Sequence, residues 1–455
     1  TRLAEIDPEL RIIRRDTHLF LDFDGNPAGT FEIPSADSGQ AWGSLTAAAV
    51  NAGRQRSKSL QQASAEKIYE AVFDGIVTEL DDFSRYASRA EARDNRANRD
   101  GFHGIGVRIE MVAEGIHVVS VMDETPAAKA GLREGDIITE VDGVSAQGLT
   151  LREAVDQLRG PLNSRVNLML KRASSLEPVQ ASVVREHIVP QTIAYRREGN
   201  AAYIRVSGFN QDTSRSLRRA LSTAREEIGS VLTGYIIDLR DNPGGLLDQA
   251  VAVSDLFVSS GPIVSTHGRH RDSHQFFDAE DDDLAGNLPV AVLVNGRSAS
   301  ASEIVAAALQ DSGRAVVIGS SSFGKGTVQT VLRLPNDGEL TLTWARFHAP
   351  SGYALHHRGV LPNVCTSIGS PSVDSLIHSI ATVPQHQQVA LRRTPDVPSE
   401  TEARALRSTC PAADGTNDLD LKIAKRLLSD HILYRQALSR SVDSNMANAD
   451  FVASD

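Results

Sequence analysis

The sequence predicts a mixed α/β protein in which a β-rich module precedes a core of alternating strands and helices. From about Ala201 onward, the apolar runs YIRV, YIIDLR, VAVLVN and AVVIG are separated by stretches with helical spacing. That is the rhythm of helices covering a largely parallel sheet. Between Gly101 and Leu170 the runs are shorter and punctuated by glycine, as in a small β-rich module of about 85 residues. Hydrophobic residues make up 41% of 455, and 34 glycines raise the apolar share to about 48%, as in ordinary folded chains. At roughly 100–200 residues per domain, about three domains fit.

Taken in order, residues 1–60 have weak periodicity. A helix follows from Ser64 to Leu80, with Ile68, Ala71, Val72, Ile76 and Leu80 three or four apart and Ser64 as cap. Strands are expected at Gly101–Glu110, His117–Met122, Asp136–Val141 and Val166–Leu170, with one helix at Leu151–Arg159. In the core, helices are expected near Ser214–Glu227, Leu246–Phe257 and Ser302–Gln310. Residues 366–418, rich in Pro, Ser, Thr and Gln, read as a loose connection before an amphipathic helix at Leu419–Leu438. The resulting division is 1–95, 96–185, 186–370 and 371–455.

Several function classes are excluded early. Lys plus Arg is 47 against Asp plus Glu 58, a net charge of −11, and no basic run is interleaved with aromatics, so nucleic acid is not expected. No stretch approaches 18 apolar residues, so no membrane span is expected. Thr1 opens the sequence without a charged and apolar leader, which reads as a targeting segment removed or never present. Cys365 and Cys410 leave a disulfide and two free thiols equally open.

Two segments carry chemistry. Gly319–Thr327, GSSSFGKGT, nearly spells a phosphate-binding loop, but Gly326 stands where Ser or Thr would follow the lysine, and TVQTVLRL reads as a strand where a helix is needed. Asn295–Gln310, NGRSASASEIVAAALQ, passes from strand to helix within a few small residues. Ser298 and Ser302 read as helix caps. A serine at such a helix start can also be a nucleophile, exposed in positive potential beside unpaired N–H groups. No G-x-S-x-G elbow and no histidine in a clear catalytic context supplies its base. Lys325 is then the candidate: its flanks are Phe323, Gly324, Gly326 and Val328, and the nearest carboxylates along the chain are Asp311 and Asp337. A lysine buried without an acidic partner can be neutral and accept a proton.

With SASASE at 298–303 and FGKGTVQ at 323–329, the chain resembles the carboxyl-terminal processing, or tail-specific, proteases over about residues 64–365. The resemblance implies a ClpP/crotonase-like α/β protease core with an inserted PDZ domain and helical N- and C-terminal regions. It implies Ser300 as nucleophile, Lys325 as base and Gln329 as the residue that orients the lysine. DLRDNPGG at 238–245 resembles the family's oxyanion turn, so that Gly244 or Gly245 would partner the N–H of Ala301; its bland alternative is a tight strand-to-helix turn. GIGV at 104–107 and TPAAKAGLREGDIITEVDG at 125–143 resemble a PDZ domain. There Gly104, Ile105, Gly106 and Val107 would hold a terminal carboxylate, with the peptide added as a strand beside Leu151, Val155 and Leu158. Two of those three apolar residues are expected to serve the module's own core. Arg159 would couple binding to activation, against a solvated surface arginine as the default. One departure is Gly296-Arg297, where the family usually has glycine directly before the first serine.

The expected function is a serine endopeptidase acting on proteins with free C-termini, without cofactor or metal, periplasmic or otherwise exported, with a homo-oligomer left open. The alternatives are a non-catalytic PDZ adaptor on a protease-like core and a nucleotide-binding enzyme using Gly319–Thr327. His267, His270 and His274 followed by DAEDDD at 278–283, and His356-His357, hold metal-ligating atoms without a zinc-type spacing, and read as solvated segments.

Overall fold

The computed structural model describes residues 2–280, 283–369, 371–382 and 397–439. The chain forms two compact units, one of Thr1–Asn95, Gly268–Ser273 and Thr327–Ala345, the other of Arg96–His267, His274–Gly326 and Arg346–Asp455.

The first unit contains the helices expected of the N-terminal region, preceded by an antiparallel three-stranded sheet, Leu10–Arg15, His18–Phe23 and Asn26–Glu32. Leu10 and Leu21 point inward from it onto Leu60 and Ile68. The expected helix runs from Ala65 to Val77, with the Ser64 hydroxyl accepting from Lys67 N–H. Ile68 and Ala71 are buried as the spacing requires, but the helix stops before Leu80, and Ile76 and Leu80 are exposed.

In the second unit, the PDZ-like module is an antiparallel sheet in the order Val179–Val184, Arg165–Lys171, Ile137–Val141, Gly115–Val121, Val107–Val112. Its helix, Leu151–Leu158, starts with a capping box in which Thr150 and Glu153 satisfy each other's N–H groups. Strand Phe102–Gly104 on the way in pairs antiparallel with Glu186–Ile188 on the way out, so the module is joined to the core through a two-stranded neck.

The core sheet has the order Ile193–Glu198, Ala201–Val206, Gly234–Asp238, Val290–Val294, Ala315–Gly319, Val364–Cys365. Its first pair is antiparallel and the rest are parallel. The three central strands are buried at every position, which explains why their sequences are continuous apolar runs without alternation. One face carries Tyr203, Ile236, Leu293 and Ile318, and packs on Ile423, Leu427, Leu433 and Tyr434. The C-terminal helices are thus a layer of the core fold. The single helix expected at Leu419–Leu438 is two, Asp418–Leu428 and His431–Leu438, the second restarted by Asp430, whose carboxylate accepts from Leu433 N–H. The stretch expected to be loose also contains helices Val373–Thr382 and Glu400–Ser408; its residues 383–396 lie outside the described residues. Cys365 and Cys410 form a disulfide. No helix among the described residues is long and apolar enough to cross a membrane.

Candidate active site

Three loops leave the carboxyl ends of three adjacent parallel strands, which is where open α/β sheets gather their chemistry. Gly234–Asp238 leads into the turn 239–245, Val290–Val294 into Asn295–Ser300, and Ala315–Gly319 into the lysine loop 320–326.

Ser300 is the residue immediately before helix Ala301–Asp311 and has φ 58° and ψ −116°. A positive φ in a non-glycine residue is strained by about 1–3 kcal/mol. Such strain persists only where surroundings enforce it, and here they do so by name. Ser298 Oγ accepts from Asn295 N–H and donates to Leu239 O, while Ser302 Oγ donates to Asn242 O. Both serines are structural as expected, but they tie the helix start to the neighbouring turn and do not cap the helix. Arg297, where the resemblance expects glycine, fits because its N–H is taken by Asn295 Oδ1.

Glu303 is fully buried and accepts four hydrogen bonds. Its Oε2 takes Ser300 N–H at 2.8 Å and Lys325 N–H at 2.9 Å; its Oε1 takes Gly324 N–H at 2.7 Å and the Ser322 hydroxyl at 2.5 Å. One carboxylate therefore brings the main chains of Ser300 and Lys325 side by side. Burial pushes the Glu303 carboxyl above its ordinary range, against the pull of the four donors. The sequence reading put no carboxylate near Lys325; the fold supplies one from 22 residues away. Glu303 was missed as a site residue, although Ser300-x-x-Glu303 is a capping-box spacing visible in the sequence.

The lysine loop is fixed at other points too. Phe323 N–H donates to Ser298 O, His357 N–H to Gly324 O, and Phe347 N–H to Gly326 O. A side chain on Gly326 would collide with the main chain of His356. Strand Thr327–Arg333 follows the loop. The loop therefore leads into a strand, where a phosphate-binding loop leads into a helix. Lys325 itself is half-buried. Gln329 lies in that strand, with its amide donating to Thr327 Oγ1 at 2.8 Å.

In the turn 239–245, Gly244 packs so closely on the nucleophile turn that a Cβ would lie 2.8 Å from the Cβ of Ser300. The Gly244 N–H is held by Asn242 Oδ1 at 2.9 Å. Gly245 pairs with Phe209 through bonds made by its neighbours, Phe209 N–H to Gly244 O and Leu246 N–H to Phe209 O. The Gly245 and Ala301 N–H groups have no hydrogen-bond partner among the described residues. The turn is anchored below by a buried ionic cluster: Arg240 binds both Asp238 (2.6 Å) and Asp420 (3.0 Å), and Tyr203 O–H donates to Asp238. These charges raise the Arg240 guanidinium pKa despite its burial, so it stays charged.

In the PDZ-like module, Gly104, Ile105, Gly106, Val107, Val155 and Leu158 line one narrow groove. The Ile105 and Gly106 N–H groups donate no hydrogen bond among the described residues, while Ile105 O and Gly106 O accept from Ala127 and Met122. Leu158 belongs to the module's core, Val155 is half-buried at the groove, and Leu151 is 51% exposed and outside it. Arg159 stacks on Phe102, its Cζ 4.3 Å from the ring centre, at the same groove.

The histidines do not assemble into a site. His267 packs against His274 and His348, and His270 against Trp344. Asp283 is paired with Arg314, and residues 281–282 lie outside the described residues. His356 and His357 stack on one another. No metal-binding cluster occurs among the described residues.

A family model for peptidase family S41 matches residues 200–366, and one for PDZ domains matches 117–172. The carboxy-terminal-processing protease of Bartonella bacilliformis is 42% identical over 313 residues, covering 68% of this chain and 72% of that protein. A probable CtpA-like serine protease of Staphylococcus aureus is 35% identical over 320 residues, covering 70% of this chain and 63% of that protein. The solved photosystem II D1 C-terminal processing protease is 25% identical, with 71% and 90% coverage and a TM-score of 0.39. The chain belongs to peptidase family S41, as a serine-type, carboxy-terminal-processing protease homologue that carries a PDZ domain.

Proposed function

We propose that this protein is a serine endopeptidase in which Ser300 attacks the peptide bond and Lys325 is its general base. The observation that carries this reading is the shared Glu303 carboxylate, which binds Ser300 N–H and Lys325 N–H on one oxygen. In the reaction, the neutral Lys325 amine takes the hydroxyl proton as Ser300 Oγ bonds to the scissile carbonyl carbon. The developing oxyanion is received by the unpartnered N–H groups of Gly245 and Ala301, with Gly244 as spacer. The Lys325 ammonium then protonates the departing amine. Water then attacks the serine ester, giving a proton to the neutral lysine, and the lysine passes that proton to Ser300 Oγ as the ester bond breaks. The family resemblance assigns Gln329 the part of orienting the lysine amine.

Substrate proteins are captured first by their C-terminal carboxylate, on the free N–H groups of Ile105 and Gly106, with an apolar last side chain between Val155 and Leu158. In this reading Arg159, which lines the same groove, senses its occupancy. The disulfide fits an oxidising compartment, in keeping with the periplasmic or otherwise exported location that the family resemblance implies. No cofactor enters the scheme.

The test is to incubate the chain and its Ser300→Ala form with denatured proteins and map the fragments by mass spectrometry. Fragments from the parent alone are expected. Equal cleavage by both forms would remove Ser300 from the mechanism, and cleavage by neither would favour a PDZ adaptor.

A further inference from the structure

We propose that the segment from Arg407 to Asp420, beyond the residues matched by the protease family model, positions the active site by holding its lysine loop from outside, with Arg407 as the positioning residue and the Cys365–Cys410 disulfide as its anchor. This rests on the reading of Lys325 as base.

The geometry centres on one peptide unit, the bond between Phe323 and Gly324, directly before Lys325. Its N–H donates to Glu303 at 2.7 Å, and its carbonyl accepts from Arg407 Nη1, also at 2.7 Å. The plane is thus pinned at both polar ends by groups that carry opposite charge, and charge-assisted hydrogen bonds are the strong kind. Gly324 has φ +90°, so this peptide has no ladder or helix to orient it. Its rotation would swing the chain that enters Lys325.

The same segment holds the lysine loop at two more points and reaches the other two loops. Ser321 Oγ donates to Cys410 O, and Ala413 N–H donates to Ser320 Oγ. Gly296 N–H donates to Ala413 O, and Asn295 Nδ2 to Gly415 O. Arg240 Nη1 donates to Asn417 O and binds Asp420. Every loop of the candidate site therefore has a polar group satisfied by this strap. Cys410, two positions past helix Glu400–Ser408 and three past Arg407, is tied covalently to Cys365 at the end of the last sheet strand.

Reduction would release that anchor. With dithiothreitol, a thiolate attacks the half-buried Cys365 sulfur, the protein S–S bond breaks, and the reagent closes to its cyclic disulfide. Two electrons pass to the protein, leaving two cysteine thiols.

The experiment measures kcat and KM of the full chain on β-casein, with thermal unfolding in parallel, for the parent, Arg407→Ala, Arg407→Lys, the parent reduced by dithiothreitol and the Cys365→Ser/Cys410→Ser double variant. Loss of the charged hydrogen bond should lower kcat about tenfold or more in Arg407→Ala at unchanged KM. Arg407→Lys, which keeps one charged donor, should recover most of it. Reduction should lower kcat in the parent and leave the already slowed double-serine variant unaltered. Parental kcat in both Arg407→Ala and the reduced chain would overturn the proposal. So would losses that track unfolding in every variant, Arg407→Lys included, because the contact would then serve stability alone. A Ser300→Ala chain that still cleaves β-casein would sink the Ser-Lys reading itself. An inactive Ser300→Ala chain beside a fully active Arg407→Ala chain would sink only the strap.

Discussion

Glu303 shows how much a single side chain organises here. Its four partners come from residues 300, 322, 324 and 325, and three of them are main-chain N–H groups that can only donate. Glu303→Gln places an amide NH₂ against those donors. It is expected to cost about 1–3 kcal/mol of stability and to slow turnover at least tenfold, read by urea unfolding and casein cleavage. Of the candidate site, the strand-to-helix junction was legible because a small-residue stretch separates an apolar run from a helical pattern, while Ser300 was chosen among its serines by resemblance. Lys325 was made a candidate by elimination and resemblance. The Glu303 bonds to the lysine loop were not, because they span 19 to 22 residues and depend on two neighbouring strands ending side by side. The bond that takes up the Gly244 N–H was hidden too, since it comes from the Asn242 side chain within the turn.

At the scale of elements, the parallel strands announced themselves as continuous apolar runs, whereas the layer that covers them did not. The C-terminal pair of helices carries an ordinary amphipathic pattern that cannot say which sheet it meets. Its burial is testable: Leu427 is fully buried against the sheet, and Leu427→Ala should destabilise the chain by about 2–5 kcal/mol in urea unfolding. In the PDZ-like module, Asp136 is buried at the start of a strand and bound twice by Arg172, each bond at 2.7 Å. Burial alone would raise its carboxyl pKa, but the bonds from Arg172 and from Arg133 N–H prevail and hold it below 3.8. A carboxyl depressed on folding contributes stability above its unfolded value and loses it as pH falls through the folded one. The module's stability should therefore drop below about pH 3.8, and Asp136→Asn should be destabilised at neutral pH by about 3 kcal/mol and lack that acid-side loss. Thermal unfolding across pH 2.5–7 reads both.

For the whole molecule, the sequence conveyed the α/β core and the inserted β-rich module. The N-terminal three-stranded sheet escaped because its strands are short and half-polar, with only Leu10 and Leu21 fully inward. The disulfide escaped because two cysteines 45 positions apart fix no distance; the fold brings their Cα atoms to 5.8 Å. Coupling between capture and cleavage also belongs to this scale. A substrate with an amidated C-terminus should be cleaved more slowly than the same chain with a free carboxylate, mainly through KM, because an amide gives up the charge that the Ile105 and Gly106 N–H groups would bind.

The central claim is that a neutral lysine takes the proton of Ser300. At an ordinary pKa near 10.4, about 0.04% of a lysine is neutral at pH 7. Catalysis therefore requires the site to favour the uncharged amine, and arginine cannot supply one. The decisive measurement is casein turnover by the parent and by Lys325→Arg from pH 5 to 9, with folding checked by circular dichroism. A rate in the parent that rises with pH as the amine loses its proton, and a folded Lys325→Arg chain slowed by more than about a thousandfold, are the predicted result. Near-parental turnover by a folded Lys325→Arg chain would contradict it.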